Sequence, residues 1–108
     1  MTQEIKNYNR LCAVFLGWKY NKNSDDYQPT DFRFGSAKWL SDMQFHSDWN
    51  WIHEIIQKIK NTTNPKEHSD TTFSTLRKKI QTHLGRSDKE AVVQAINQFL
   101  IWYNEQNN

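Results

Sequence analysis

Apolar residues recur at helical spacing in four stretches of the chain. In the first, over about residues 2–16, Ile5, Tyr8, Cys12 and Phe15 follow at intervals of 3, 4 and 3, with Leu11 and Leu16 flanking. Thr2 can cap this helix, and Gly17 can end it in a left-handed conformation. Cys12 falls within the stripe, which predicts a buried, inert thiol rather than a nucleophile. Residues 17–45 are less regular. Trp18 and Tyr20 alternate across Lys19, and Phe32 and Phe34 alternate across Arg33, each the pattern of a short strand. The turn-rich run NKNSDDYQPTD separates them, so a small hairpin is expected, ended by Gly35-Ser36. Trp39-Leu40 is expected to pack down from the loop that follows.

The segment FHSDWNWIHEIIQKIK, residues 45–60, carries the strongest local signal. Ser47 reads as the helix cap and Asp48 suits the positive end of the helix dipole. Trp49, Ile52, Ile56 and Ile59 share one face, with Ile55 at its edge. With Ser47 as cap, His46 and Trp51 occupy the hydrophobic-staple positions. Lys58 and Lys60 occupy the last turn, and NTTNP breaks the pattern at Pro65. A third helix is expected at about 70–84 from Phe73, Leu76, Ile80 and Leu84. The threonines in that stretch disfavour it, with a distorted strand as the alternative, and Gly85 stops the element. Ser87 and Glu90 then have capping-box spacing before a last helix. Its stripe is Val92, Ile96, Phe99 and Tyr103, broadened by Ala95, Leu100 and Trp102, while Ile101 points away from it. The fold class that follows is helix-rich α+β: three or four helices with a small β-hairpin after the first, in a single compact domain over residues 1–108.

Composition changes this picture in one respect. Of 108 residues 36% are hydrophobic, but five Trp, four Tyr and six Phe are among them. Disordered chains are poor in such rings, so a mean hydropathy of −0.94 does not indicate a solvated tail. No run approaches the roughly 18 apolar residues of a membrane helix, so no membrane association is expected. A single cysteine excludes a disulfide framework and a cysteine-based zinc site. The start of the chain, MTQEIKNYNRL, lacks the apolar core of a secretory signal, so a cytoplasmic location is expected.

Candidate chemistry is sparse. His46-Ser47-Asp48, with His53 and Glu54 further on, is the most enzyme-like group. His46 and His53 stand seven residues apart, about 10 Å along a helix axis, too far for direct co-ligation of a metal. Adjacency of Ser47, His46 and Asp48 does not make a triad, which is a matter of three-dimensional geometry. Gly17, Gly35 and Gly85 are isolated, so no phosphate-binding glycine loop exists, and Asp25-Asp26 reads as a solvated turn. A protein without enzymatic activity, metal or cofactor is therefore expected.

Binding is the remaining class. Fourteen Lys+Arg against twelve Asp+Glu give a net charge of +2, too weak for a dedicated nucleic-acid coat. The basic residues are nevertheless grouped: Arg77, Lys78, Lys79, Arg86 and Lys89 are candidate phosphate contacts. The plainer reading of that run is a solvated helix face. Trp and Tyr anchor protein interfaces because they bury large areas at low rotamer cost. Trp18, Tyr27 and Trp39, outside any helical stripe, are the candidate partner anchors, together with Ile101. Trp49, Phe99 and Tyr103 are assigned to the core.

Two segments, FHSDWNWIHEIIQKI and KEAVVQAINQFLIWYNE, with FLGWKY near the start, resemble a loose group of small uncharacterised proteins. These occur in phages and prophages of Bacteroidetes-type bacteria. The matching features are Phe45, His46, Trp49 and Trp51 before an isoleucine-rich helix, and the terminal Trp102-Tyr103-Asn104. The resemblance covers about a third of the chain, in the right order, and brings no catalytic motif. Residues 61–88 depart from it: short strands are expected there, and this chain has a basic, threonine-rich segment instead. The setting implied is a phage or mobile-element accessory protein in the cytoplasm of a bacterial host cell. Such a protein binds a host protein or ribonucleoprotein, with an anti-CRISPR-type inhibitor of an RNA-guided nuclease as the sharpest form. The alternatives are a single-stranded RNA- or DNA-binding protein using residues 77–89, and a self-associating phage structural protein.

Overall fold

In a computed structural model, which describes residues 2–30, 34–62 and 72–106, the chain is a helix-rich α+β fold. Four α-helices are described: α1 (Gln3–Phe15), α2 (Trp49–Lys60), α3 (Thr72–Gly85) and α4 (Lys89–Gln106). A two-stranded antiparallel hairpin, β1 (Lys19–Asn21) and β2 (Asp26–Gln28), follows α1, and a 3-10 turn spans Leu40–Asp42.

Helix α1 begins and ends as its sequence predicts. The Thr2 hydroxyl accepts from the Ile5 amide at 3.2 Å. At the other end Gly17 has φ +80°, the Gly17 amide donates to the Val14 carbonyl, and the Trp18 amide donates to the Ala13 carbonyl, each at 3.0 Å. This Schellman closure turns the chain so that the residue after the glycine packs back on the helix. That residue is Trp18, which is only 5% exposed and packs against Phe34, Phe45 and Trp51 at ring distances of 5.1, 5.4 and 6.1 Å. The expectation of a surface Trp18 is thereby corrected: it is a core residue.

The hairpin is tighter than the hydrophobic alternation suggests. Its second strand is Asp26–Gln28, inside the run read as turn, in the register Lys19 with Gln28, Tyr20 with Tyr27 and Asn21 with Asp26. Local polar contacts close it early. Asn21 Oδ1 accepts from the Asn23 amide at 3.1 Å, Ser24 Oγ donates to Asp26 at 2.8 Å, and Asp25 takes a left-handed φ of 54°. Phe32 and Arg33, of the strand expected there, lie outside the described residues. Tyr27, the second expected surface anchor, is 6% exposed, so it too belongs to the core. Its backbone forms an isolated antiparallel bridge with Lys38, which lays the following segment along the hairpin.

Both helix caps read from serines shift by one residue. Asp48, not Ser47, caps α2, its carboxylate accepting from the Asn50 amide at 2.8 Å. The staple positions move accordingly and no longer fall on His46 and Trp51. Asp88 accepts from the Ala91 amide at 3.2 Å at the start of α4, while Ser87 takes a left-handed φ of 55°. An aspartate beside a serine wins because its charge also complements the helix dipole.

Residues 72–85 are helical despite their threonines. Phe73 and Ile80 are buried, and Thr82 donates to the carbonyl one turn back, Lys78, at 3.0 Å, so its hydroxyl is satisfied within the helix. Helix α3 packs along α4, and α1 and α2 also contact α4. Val92, Ala95, Ile96, Phe99 and Leu100 of α4 are buried at this junction. Around it, Phe15 meets Tyr103 edge-on at 5.3 Å, and Phe73 lies 5.7 Å from Phe99. Cys12 is fully buried in the same core.

Candidate interaction site

The segment after the hairpin presents Trp39. Lys38 exchanges backbone hydrogen bonds with Tyr27 at 2.8 and 2.9 Å, and the Asp42 amide donates to the Trp39 carbonyl at 3.0 Å. Behind them the fully buried Asn9 of α1 donates from Nδ2 to the carbonyls of Leu40 and Met43, at 3.1 and 3.3 Å. The indole Nε1 of Trp39 itself donates to the Ser24 carbonyl at 3.2 Å. The ring is nonetheless 58% exposed. It does not pack down from the loop as expected. Hydrogen bonds at its edge and its backbone hold it at the surface, so little side-chain entropy remains to be lost on binding.

A cleft of about 390 Å³ opens beside Trp39, lined by Gln3, Lys6 and Arg10 of α1, by Asp25, and by Leu40 and Ser41. Tyr20 stands at the same hairpin, donating to the Asp25 carboxylate at 2.7 Å. That bond favours the neutral phenol and raises the Tyr20 pKa above its usual value. Among the described residues no carboxylate pairs with Lys6 or Arg10; Arg10 donates only to Asn7 Oδ1, at 3.3 Å.

Arg10 also lines the neighbouring groove, of about 620 Å³, with Glu4, Asn7, Leu11, Asn97 and Ile101. Ile101 is 45% exposed. Trp39 and Ile101, two of the four candidate anchors, therefore border adjoining depressions that share Arg10. Trp18 and Tyr27 lie in the core beneath. Arg10 and Lys6 were not singled out from sequence. The signal available was their spacing of four, which stacks them on one helix face.

The basic candidates are placed differently. Arg77 lies over the Phe73 ring at 5.2 Å and donates to the Lys60 carbonyl at 3.3 Å. Lys79 donates to Gln98 at 2.9 Å, and Lys89 sits 5.7 Å from the Trp49 ring. These three side chains tie helices to one another, and only Lys78 and Arg86 of the five are exposed without such a contact among the described residues.

A third cleft, of about 450 Å³, is lined by Glu4, Tyr8, His46, Lys89 and Glu90, among others. His46 Nδ1 is enclosed with no hydrogen-bond partner among the described residues, and desolvation lowers the His46 pKa. The Tyr8 hydroxyl donates to the Phe45 carbonyl at 3.0 Å, and burial raises its pKa. Burial likewise pushes the Cys12 thiol up, so it is not activated as a nucleophile. Among the described residues no three His, Cys, Asp or Glu side chains group as metal ligands, and no helix is long and apolar enough to cross a membrane. Compared with protein-family models, with curated proteins and with solved structures, the chain matches none.

Proposed function

We propose that this chain is a non-enzymatic binding protein that docks a host macromolecule on the face running from Trp39 across Arg10 to Ile101. The observation that carries this reading is the shared Arg10: two exposed hydrophobic side chains border adjoining clefts, and Arg10 lines both. A hydrogen-bonded tryptophan with its ring in solvent has the properties of an interface anchor, a large apolar area at low ordering cost. The resemblance to small phage and prophage proteins supplies the setting: a phage or mobile-element accessory protein acting in the cytoplasm of a bacterial host. Its target is a host protein or ribonucleoprotein, and occlusion of an RNA-guided nuclease, as by an anti-CRISPR protein, is the specific form of that activity.

The test is affinity capture from a Bacteroidetes-type bacterial lysate, with and without RNase, comparing the natural chain with Trp39→Ala and Ile101→Glu. A partner retained by the natural chain and lost from both variants supports the reading. Recovery of no specific partner, or of one indifferent to both substitutions, sinks it. Loss of the partner on RNase treatment alone would assign the contact to RNA.

A further inference from the structure

Three depressions follow one another along the seam between α1 and α4. The cleft at His46 shares Glu4 and Asn97 with the groove at Ile101, and that groove shares Leu11 with a further cleft of about 490 Å³. The lining residues advance together along both helices, from Glu4 to Phe15 on α1 and from Lys89 to Asn104 on α4. The two helices therefore run in the same direction, and the depressions form one trough. Between Glu90 and Asn104 it spans about 20 Å, close to four helical turns.

The trough is lined by apolar side chains along that length: Ile5 and Val93 in the first part, Leu11 and Ile101 in the middle, Leu100 and Tyr103 in the last. Val14, at the far end, is 57% exposed. Its charges are sorted by end. Glu4 and Glu90 stand where both helices begin, Arg10 stands further along, and Lys58 stands where both helices finish. Lys89, the cation at the first end, lies over the Trp49 ring.

We propose that the partner seats an amphipathic helix in this trough, antiparallel to α1 and α4, with basic C-terminal turns at Glu4 and Glu90 and acidic N-terminal turns at Arg10 and Lys58. This inference rests on the binding reading above and names the element the partner supplies. A trough between two packed helices takes a third as ridges fit into grooves, anchored by apolar residues three and four apart. The direction follows from electrostatics. The positive dipole ends of α1 and α4 lie together, so an antiparallel helix sets its negative end there. Helices favour acids in the first turn and cations in the last, which is the order the trough's charges match. A second copy of the chain has no such helix to give, because α2, α3 and α4 bury their apolar stripes in their own core. A nucleic-acid strand, with a phosphate at every nucleotide, would meet Glu4 and Glu90.

The probes are two synthetic amphipathic peptides of identical composition and about 18 residues, long enough for a marginal helix in water. One has Glu in its first two turns and Lys in its last two, and the other has these exchanged. Binding is followed by NMR on the labelled full chain, through the Val14, Asn97 and Ile101 amides. The first peptide is expected to bind at least about fivefold tighter than the second. Val14→Glu should weaken it, and Glu4→Lys/Glu90→Lys should reverse the preference. Glu4→Gln/Glu90→Gln, which removes charge without reversing it, should narrow the preference and guards against a misfolded reversal variant. Absence of binding, equal binding of the two peptides, or a preference unmoved by both glutamate variants overturns the proposal. So do shifts of the same amides with chain concentration alone, which would place a second copy in the trough. A lysate partner lost from Trp39→Ala and Ile101→Glu but retained by Val14→Glu would refute the seated helix and leave the binding reading standing.

Discussion

The side-chain amide of Asn9, buried in α1, reaches 3.1 Å to the carbonyl of Leu40, the residue after the exposed Trp39. A second bond from the same nitrogen, 3.3 Å to the Met43 carbonyl, clamps both ends of the 3-10 turn onto the helix. Without it the Met43 carbonyl would lose this donor, while the Leu40 carbonyl keeps the Met43 amide at 3.3 Å. Asn9→Ala is therefore expected to destabilise the fold by about 1–2 kcal/mol, the cost of two lost bonds and one stranded acceptor. Urea unfolding measures it, and a loss of the Trp39 indole's dispersion in the NMR spectrum of the folded variant would show that the ring's placement depends on this clamp. A variant as stable as the natural chain would show the turn to be self-supporting.

Two tryptophans of the same region should respond oppositely to truncation. Trp18 is enclosed by Phe34, Phe45 and Trp51, so Trp18→Ala leaves a cavity and is expected to cost about 3–5 kcal/mol. Trp39→Ala removes one surface hydrogen bond and little burial, and should stay within about 1 kcal/mol of the natural chain. Equilibrium unfolding of the pair separates a core ring from a surface ring. A Trp39→Ala variant as damaged as Trp18→Ala would mean that partner loss in the capture experiment reports misfolding.

That contrast marks where the sequence was legible. Helical periodicity located all four described helices, and the Thr2 cap and the Gly17 terminator were read correctly, because these signals act within one or two turns. The alternation of Trp18 with Tyr20 points to a strand residue at the surface, and the structure buries Trp18 instead. The residue following a helix-ending glycine commonly packs back on the helix, and that local rule outweighs the alternation. Tyr27 is buried for a related reason: the turn-rich run around it closes with side-chain bonds from Asn21 and Ser24, so the second strand begins earlier than hydrophobic alternation indicates. The site itself was half legible. Trp39 and Ile101 stood out as lying off any buried stripe, but that α1 passes between them, and that Arg10 therefore lines both clefts, is a tertiary fact no local pattern encodes.

Tyr20 supplies a titration test of the hairpin turn. Its hydroxyl donates to the Asp25 carboxylate at 2.7 Å, and ionising the phenol would set two negative charges against each other. The phenol therefore titrates above its usual value of about 10. Asp25→Asn is expected to return it toward that value, read by ultraviolet absorbance or by NMR of the labelled ring. Because the folded pKa is raised, the bond's contribution is present below the unfolded phenol's pKa and fades as pH rises through the folded one. An unchanged Tyr20 titration in Asp25→Asn would place the shift's origin elsewhere.

His46 makes the opposite prediction at the acidic end. Its Nδ1 is enclosed without a partner among the described residues, so charging the ring in the fold costs solvation that the unfolded chain retains. Glu4, Glu90 and Lys89 line the same cleft, but burial is the cause of the net downward shift. The unfolded state then binds a proton near pH 6.5, about the usual imidazole value, and the folded state only at lower pH. Stability is fully present above the unfolded pKa and declines as pH falls toward the folded one. Between about pH 7 and about pH 5 the natural chain should therefore lose more stability than His46→Gln, which does not titrate. Unfolding midpoints across that range, with NMR titration of the His46 ring, decide the matter: parallel pH profiles, or a ring that titrates at the usual value, would show that the imidazole is solvated in the fold.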